Sequence, residues 1–207
     1  MRRLQTGAQA ASLPHNLRIF SRFRHFLYVK VFYRRKLPHL HVIGRPLFLT
    51  WRLHGSLPQG RAFPPQFTGG QAFVAMDRLL DEARSGPFFL RQPQIAKMVA
   101  AAIQQCAQSM YELHAWVLMP NHVHLLITPG IEVPKITKSL KWFTAREANK
   151  NLRRTGPFWQ DESYDRLVRD SKEFERIRAY IEVNPVRAGL ANSPEEYPWS
   201  SATGAGL

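Results

Sequence analysis

The chain has 207 residues, 44% of them apolar, which is enough for one substantial core and cramped for two. A formal charge of +14 and a pI near 10.6 put an anionic partner first, with nucleic acid ahead of a membrane or an acidic protein. The lone cysteine, Cys106, excludes an internal disulfide and a cysteine-based zinc site, and no apolar run reaches the ~20 residues of a membrane-spanning helix, so a cytoplasmic protein with no membrane partner is expected.

The charge is unevenly spread. No Asp or Glu precedes Asp77, and residues 1–76 hold 12 of the 29 Lys and Arg, leaving 17 bases against 15 acids in the rest. Residues 1–36 show no sustained period, are basic and aromatic from Arg18 to Lys36, and are predicted to form a disordered N-terminal extension. Residues 37–207 are predicted to form a single domain.

The first strand is expected around Leu47–Leu53 and ends in the Gly55–Gly60 turn. Phe73, Met76, Leu79 and Leu80 recur at helical spacing within 72–83, and Ser85-Gly86-Pro87 stops that helix. A longer helix is predicted from Pro93 to about Ser109, with Ile95, Met98, Val99, Ala102, Ile103 and Cys106 in one stripe. Two apolar runs follow, Leu113–Leu118 and Val123–Thr128, and the intervening Met119-Pro120-Asn121 makes them an antiparallel hairpin.

Ile136, Leu140, Phe143 and Leu152 predict a helix from about Pro134 to Arg153, and Tyr164–Val168 a fourth strand. The last helix begins after Asp170, where Glu173 stands three residues on as in a capping box, and is expected to end at Asn184 before Pro185. This order predicts an α+β fold: a ferredoxin-like split β-α-β with helices packed on an antiparallel sheet.

His122 and His124 lie two apart in a strand, so both imidazoles project to one face while Val123 and Leu125 face the other. Two imidazoles on one strand make a partial site for Mn²⁺, Mg²⁺ or Zn²⁺ whose third ligand must come from elsewhere. Taken alone, the pair reads first as two sheet-surface histidines. His39 and His41, beside the basic extension, are read as structural or nucleic-acid-contacting, and His114 as a satisfied strand residue. On the last helix Phe174, Ile177 and Ile181 form the core stripe, with Tyr180 and Asn184 four apart along its flank.

Lys135, Lys138, Lys141, Arg146, Lys150, Arg153 and Arg154 face a single acid, Glu147, with Trp142 and Phe143 among them. That mixture suits phosphates and base stacking, although a solvated helix face with core aromatics has the same composition. Lys138, Lys141, Arg146, Lys150, Arg154, Trp159, Gln160 and Arg187 are the candidate nucleic-acid contacts.

The segment Trp116-Val117-Leu118-Met119-Pro120-Asn121-His122-Val123-His124-Leu125-Leu126 resembles the HUH segment of the REP-associated tyrosine transposases, relatives of the insertion-sequence single-strand transposases. Leu140–Glu147, Gly156–Gln160, Tyr164-Asp165-Arg166, Tyr180–Gly189 and Tyr197–Ser201 resemble the same family in the same order, so the likeness runs over roughly residues 34–202.

The resemblance implies an HUH endonuclease fold, Tyr180 as nucleophile, and His122 and His124 as ligands of Mg²⁺ or Mn²⁺, with Asn184 completing the site. It also implies single-stranded or hairpin DNA at palindromic repeats as substrate. A phenol titrates near ~10, so it needs a polarised phosphate to react at neutral pH. The expected chemistry is nicking and joining through a 5′-phosphotyrosine, by a monomer or a homodimer. Two other readings fit the same residues: a nonenzymatic nucleic-acid-binding module with an RNA-recognition-like sheet, and a metal-dependent nuclease that uses water.

Overall fold

The computed structural model describes residues 30–34, 38–57, 69–83 and 86–204. In chain order these form β1 (Lys30–Arg34), β2 (Pro38–Val42), β3 (Leu47–Arg52), α1 (Gly69–Asp81), α2 (Pro93–Ala107), β4 (Tyr111–Leu118), β5 (His122–Pro129), α3 (Val133–Asn151), β6 (Tyr164–Leu167) and α4 (Ser171–Arg187). Short 3₁₀ turns at Phe89–Arg91, Pro194–Glu196 and Ser201–Thr203 complete the set.

The main sheet has the order β4-β5-β3-β6, every neighbouring pair antiparallel. β5 lies between β4 and β3, which is the split β-α-β connection expected from the hydrophobic pattern. The 3₁₀ turn and α2 are inserted between α1 and β4.

Strand alternation gives the sheet two buried faces. Leu49, Trp51, Trp116, Leu118, Val123, Leu125 and Ile127 pack against α2 and α3 through Ile95, Val99, Ile103, Ile136 and Leu140. On the other face Phe48, Ala115, Val117 and Leu126 meet Phe73 of α1 and Ile177 and Ile181 of α4. The second face is the smaller one, and it carries the polar site described below.

Two boundaries differ from the sequence expectation in ways that matter. Lys30–Arg34, inside the segment read as a disordered extension, is a strand paired with β2 in a separate two-stranded sheet, while residues 1–29 lie outside the described residues. α4 does not stop at Asn184: it continues through Pro185 to Arg187. In the last turn Pro185 forfeits one hydrogen bond, its own missing donor. Closure comes instead from Gly189 at φ 68°, with Leu190 N–H donating to Pro185 O at 2.8 Å and Gly189 N–H to Val186 O at 3.0 Å. The extra turn brings Arg187 beside Tyr180.

The N-terminus of α4 shows the Asp170 half of the predicted capping box, while Glu173 reaches one residue further back than the box requires, to Arg169. The Asp170 side chain accepts from Glu173 N–H at 2.8 Å, and Glu173 Oε2 accepts from Arg169 N–H at 2.9 Å. None of the described helices is long and apolar enough to cross a membrane.

Candidate metal and tyrosine site

β5 sets His122 and His124 on the α1/α4 face, both fully buried, with Val123 and Leu125 in the opposite core. Their tautomers follow from what each Nδ1 touches. Asn121 Nδ2 donates to Leu80 O at 3.0 Å, which fixes the amide orientation, so Asn121 Oδ1 can only accept the proton of His122 Nδ1 at 2.7 Å. Burial first, and His124 next, depress the His122 pKa to about 3, so this ring is neutral and its Nε2 carries a bare lone pair. His124 Nδ1 is held at 2.7 Å by Thr50 Oγ1 across the strand pair. The two Nε2 atoms face each other at 3.0 Å.

A carboxylate closes the group. Asp77 on α1, 2% exposed, places Oδ1 3.1 Å from His124 Nε2 and 3.5 Å from His122 Nε2. Burial alone would push this carboxyl up, but the adjoining His124, with His122 and Asn184 behind it, holds it below the ordinary carboxylate range. Asn184 extends Nδ2 to 3.4 Å from His124 Nε2, while its buried Oδ1 has no hydrogen-bond partner. Asp81, one helical turn beyond Asp77, sits 3.9 Å from His122 Nε2, and burial followed by Asp77 raises its pKa to about 7.

Asp77, His122 and His124 offer ligand atoms that all lie within 4.8 Å of one another. An ionised carboxylate and a bare imidazole nitrogen converge there in a buried space, and the unpartnered Oδ1 of Asn184 is a further acceptor that a turn of its amide would bring to the group. That set fits a divalent cation with mixed nitrogen and oxygen preference.

Tyr180 lies over this group. Its ring centroid is 5.7 Å from that of His124, and its edges meet Phe48 and Phe73, each at 6.3 Å. The Arg187 guanidinium stands 5.2 Å from the phenol ring centroid. A cavity of about 590 Å³ lined by Asp81, Glu82, Ala83, Arg187 and Ala188 opens beside the site. The structure therefore gathers His122, His124, Tyr180, Asn184 and Arg187 within one chain.

The other candidate contacts lie elsewhere. Lys138, Lys141, Arg146 and Lys150 are on α3 and Arg154 just after it, across the sheet from the histidines. Lys138, Arg146 and Lys150 are exposed, and Trp142 beside them is 61% exposed with Arg146 stacked 4.9 Å above it. Lys141 is engaged internally, donating to the carbonyls of Gln160, Asp161 and Glu162 at 3.0, 3.1 and 3.4 Å. Arg154 donates to Asn149 Oδ1 at 2.9 Å and packs on Phe89. Trp159 is a core residue: it is 7% exposed and its Nε1 donates to Thr144 Oγ1 at 2.8 Å, so neither ring face is open to a base. Gln160 bonds through its backbone to Arg52 O.

Sequence reasoning left the third ligand open and, through the family likeness, settled on Asn184; it missed Asp77. A signal existed. Asp77 is four residues after Phe73 and three before Leu80, which puts the first carboxylate of the chain on the buried stripe of its helix.

An antiparallel split β-α-β sheet with a buried His-x-His on its central strand and a helix-borne tyrosine over it defines an HUH-type fold. Residues 89–184 match the family model described as "Transposase IS200 like". The REP-associated tyrosine transposase of Escherichia coli K12 is 24% identical over 91 residues, covering 44% of this chain and 54% of the relative. A protein of Haemophilus influenzae carrying the same family designation is 29% identical over 114 residues, covering 47% of this chain and 62% of the relative. The chain is thus similar to the REP-associated tyrosine transposases, and it spans a little over half the length of these curated relatives. The fold agrees: a solved REP-associated tyrosine transposase bound to a REP hairpin superposes with a TM-score of 0.52 at 19% identity, covering 82% of this chain and 81% of that one.

Proposed function

We propose that this chain is a metal-dependent tyrosine transposase that nicks and rejoins single-stranded DNA at hairpin-forming repeats. The observation that carries this reading is the 5.7 Å approach of the Tyr180 ring to His124, which forms a ligand group with Asp77 and His122. The relatives' designation and the hairpin bound to the structural neighbour support the substrate class.

Asp77, His122, His124 and Asn184 would hold the cation, Mg²⁺ or Mn²⁺, and when bound it supplies Lewis-acid polarisation of a non-bridging phosphate oxygen. The residues of the chain do the rest. Phe48 and Phe73 hold the phenol ring edge-on against the sheet beside His124, which restricts the direction from which its oxygen would attack. Arg187 places positive charge beside the ring, where the phosphate must sit. The Tyr180 oxygen bonds to phosphorus as its proton departs, the P–O3′ bond breaks, and the 3′ oxygen leaves and takes up a proton. The product is a 5′-phosphotyrosine and a free 3′-OH, and attack by another 3′-OH reverses the step without an external energy source.

On α3, Lys138, Trp142, Arg146 and Lys150 recur every four residues and form one exposed stripe that would hold flanking single strand by phosphate contact and stacking. The test is incubation of the full chain with Mn²⁺ and a hairpin oligonucleotide that carries only a few nucleotides upstream of the cleavage point, so that the released 3′-OH fragment diffuses away and cannot reverse the step. A slow-migrating protein–DNA adduct on a denaturing gel, absent in Tyr180→Phe, is expected. Cleavage without adduct would favour a hydrolase using water, and binding without cleavage a nonenzymatic module.

A further inference from the structure

β2 carries a second His-x-His pair. His39 and His41 are each 3% exposed and face Asp165 of β6 and Glu162 just before it. His39 Nδ1 contacts Asp165 Oδ1, His41 Nε2 lies 3.1 Å from Asp165 Oδ2, and His39 Nε2 lies 2.7 Å from Glu162 Oε1. The ligand atoms of His39, His41 and Asp165 are all within 4.8 Å of one another. This cluster is on the opposite face of the sheet from Tyr180: Asp165 pairs with Leu49, a residue of the α2/α3 core, whereas the next pair, Tyr164 and Thr50, looks toward His124.

We propose that His39 Nδ1, His41 Nε2 and the Asp165 carboxylate form a second, separate metal site, of the zinc class, that fastens the β1–β2 hairpin to the edge of the main sheet. Two imidazoles and a carboxylate are a common three-ligand set for zinc, with one position left over. That position faces a cavity of about 530 Å³ lined also by Thr137, Lys138 and Ser163, which admits water or an anion.

Glu162 supplies the outer partner that a metal-bound imidazole characteristically has: its carboxylate accepts from the far nitrogen of His39 and so selects the tautomer that presents Nδ1. The loop bearing Glu162 is itself held by the three carbonyl bonds of Lys141. A mechanical need is also present. β1 and β2 form a sheet of their own, not hydrogen-bonded into the four-stranded one, and an isolated two-stranded hairpin is marginal in water. A cation bridging β2 and β6 ties the two sheets together where β2 packs beside β6.

The test uses the untagged full chain, loaded with Zn²⁺, freed of excess metal by gel filtration, and counted by plasma mass spectrometry. In a His122→Gln/His124→Gln background, which empties the first site whatever its role, one zinc per chain is expected to remain. Adding His39→Gln/His41→Gln should remove it. Glu162→Gln in the same background keeps all three ligands and is expected to weaken zinc binding about 10- to 100-fold. A background variant that retains no zinc overturns the proposal, as does unchanged content after the second pair is replaced. If the quadruple variant does not fold, unchanged affinity in Glu162→Gln overturns it alone.

Discussion

Asn121 and His122 form a relay between a strand and a helix: the Asn121 amide donates to Leu80 O on α1 and accepts the His122 Nδ1 proton at 2.7 Å. One side chain thereby docks α1, which brings Asp77, and presents the His122 Nε2 lone pair toward it. Asn121→Ala is expected to weaken Mn²⁺ binding about 10- to 100-fold, in the range of outer-sphere changes at metal sites. Calorimetric titration of the full chain checks this; an unchanged affinity would mean that the tautomer is set by something other than Asn121.

The four ligand candidates should not contribute equally. Asp77 brings a formal negative charge held ionised by its neighbours, while Asn184 brings a neutral amide. A divalent ion gains more from the carboxylate in a buried, low-dielectric space. Asp77→Asn is therefore expected to lower Mn²⁺ affinity more than Asn184→Ala does, with adduct formation at fixed metal falling in the same order. Equal losses, or a larger loss for Asn184, would contradict Asp77 as the third principal ligand.

The elements from β3 onward were legible because each carried a local signal: the apolar run Val123–Thr128 and the helical stripe in Pro93–Ser109 reappear as β5 and α2, whereas β1 and β2, short and set in a basic stretch, gave none. The histidine pair and the tyrosine four residues before Asn184 were legible for the same reason, since strand and helix geometry place them without knowledge of the tertiary fold. What the pattern could not carry was contact between distant segments. Asp77 is 45 residues from His122 and meets it only because Phe73 packs on Phe48 and Tyr164. Trp159 looked like a stacking platform from its aromatic, loop-borne setting, yet the Thr144 hydroxyl on α3 draws it inward. The sidedness of α3 was likewise hidden, because the sequence does not say which face of the sheet a helix covers.

If the α3 stripe binds the strand that flanks the hairpin, charge and stacking should separate experimentally. Lys138→Ala/Lys150→Ala removes two phosphate partners and is expected to reduce the slope of log K against log salt by about 1.4, at ~0.7 per contact on a single strand. Trp142→Ala is expected to cost ~1–3 kcal/mol in binding with the slope unchanged, as loss of a stacked base would. Adduct formation at saturating DNA should stay at the wild-type rate in both, because the stripe lies across the sheet from Tyr180. Wild-type slope and affinity would identify the stripe as a solvated face.

Glu173 supplies a pH-dependent clamp at the start of the tyrosine helix. Its carboxylate, 2% exposed, receives Arg166 from β6 at 2.7 Å and Arg169 at 2.9 Å. Burial pushes its pKa up, but the Arg169 and Arg166 guanidiniums and the Arg169 backbone N–H outweigh burial and bring it from an ordinary 4.5 to about 2. A carboxyl whose folded pKa is depressed adds stability that is complete above about 4.5 and is lost as pH falls toward 2. The guanidinium ends reach solvent, which screens them, so the contribution is on the order of 1 kcal/mol rather than the full value of the shift. Glu173→Gln should therefore lower the melting temperature at pH 7 and narrow its gap to wild type as the pH drops from 5 to 3. A gap that stays constant through that window would place the stabilisation in the packing of the side chain and not in its charge.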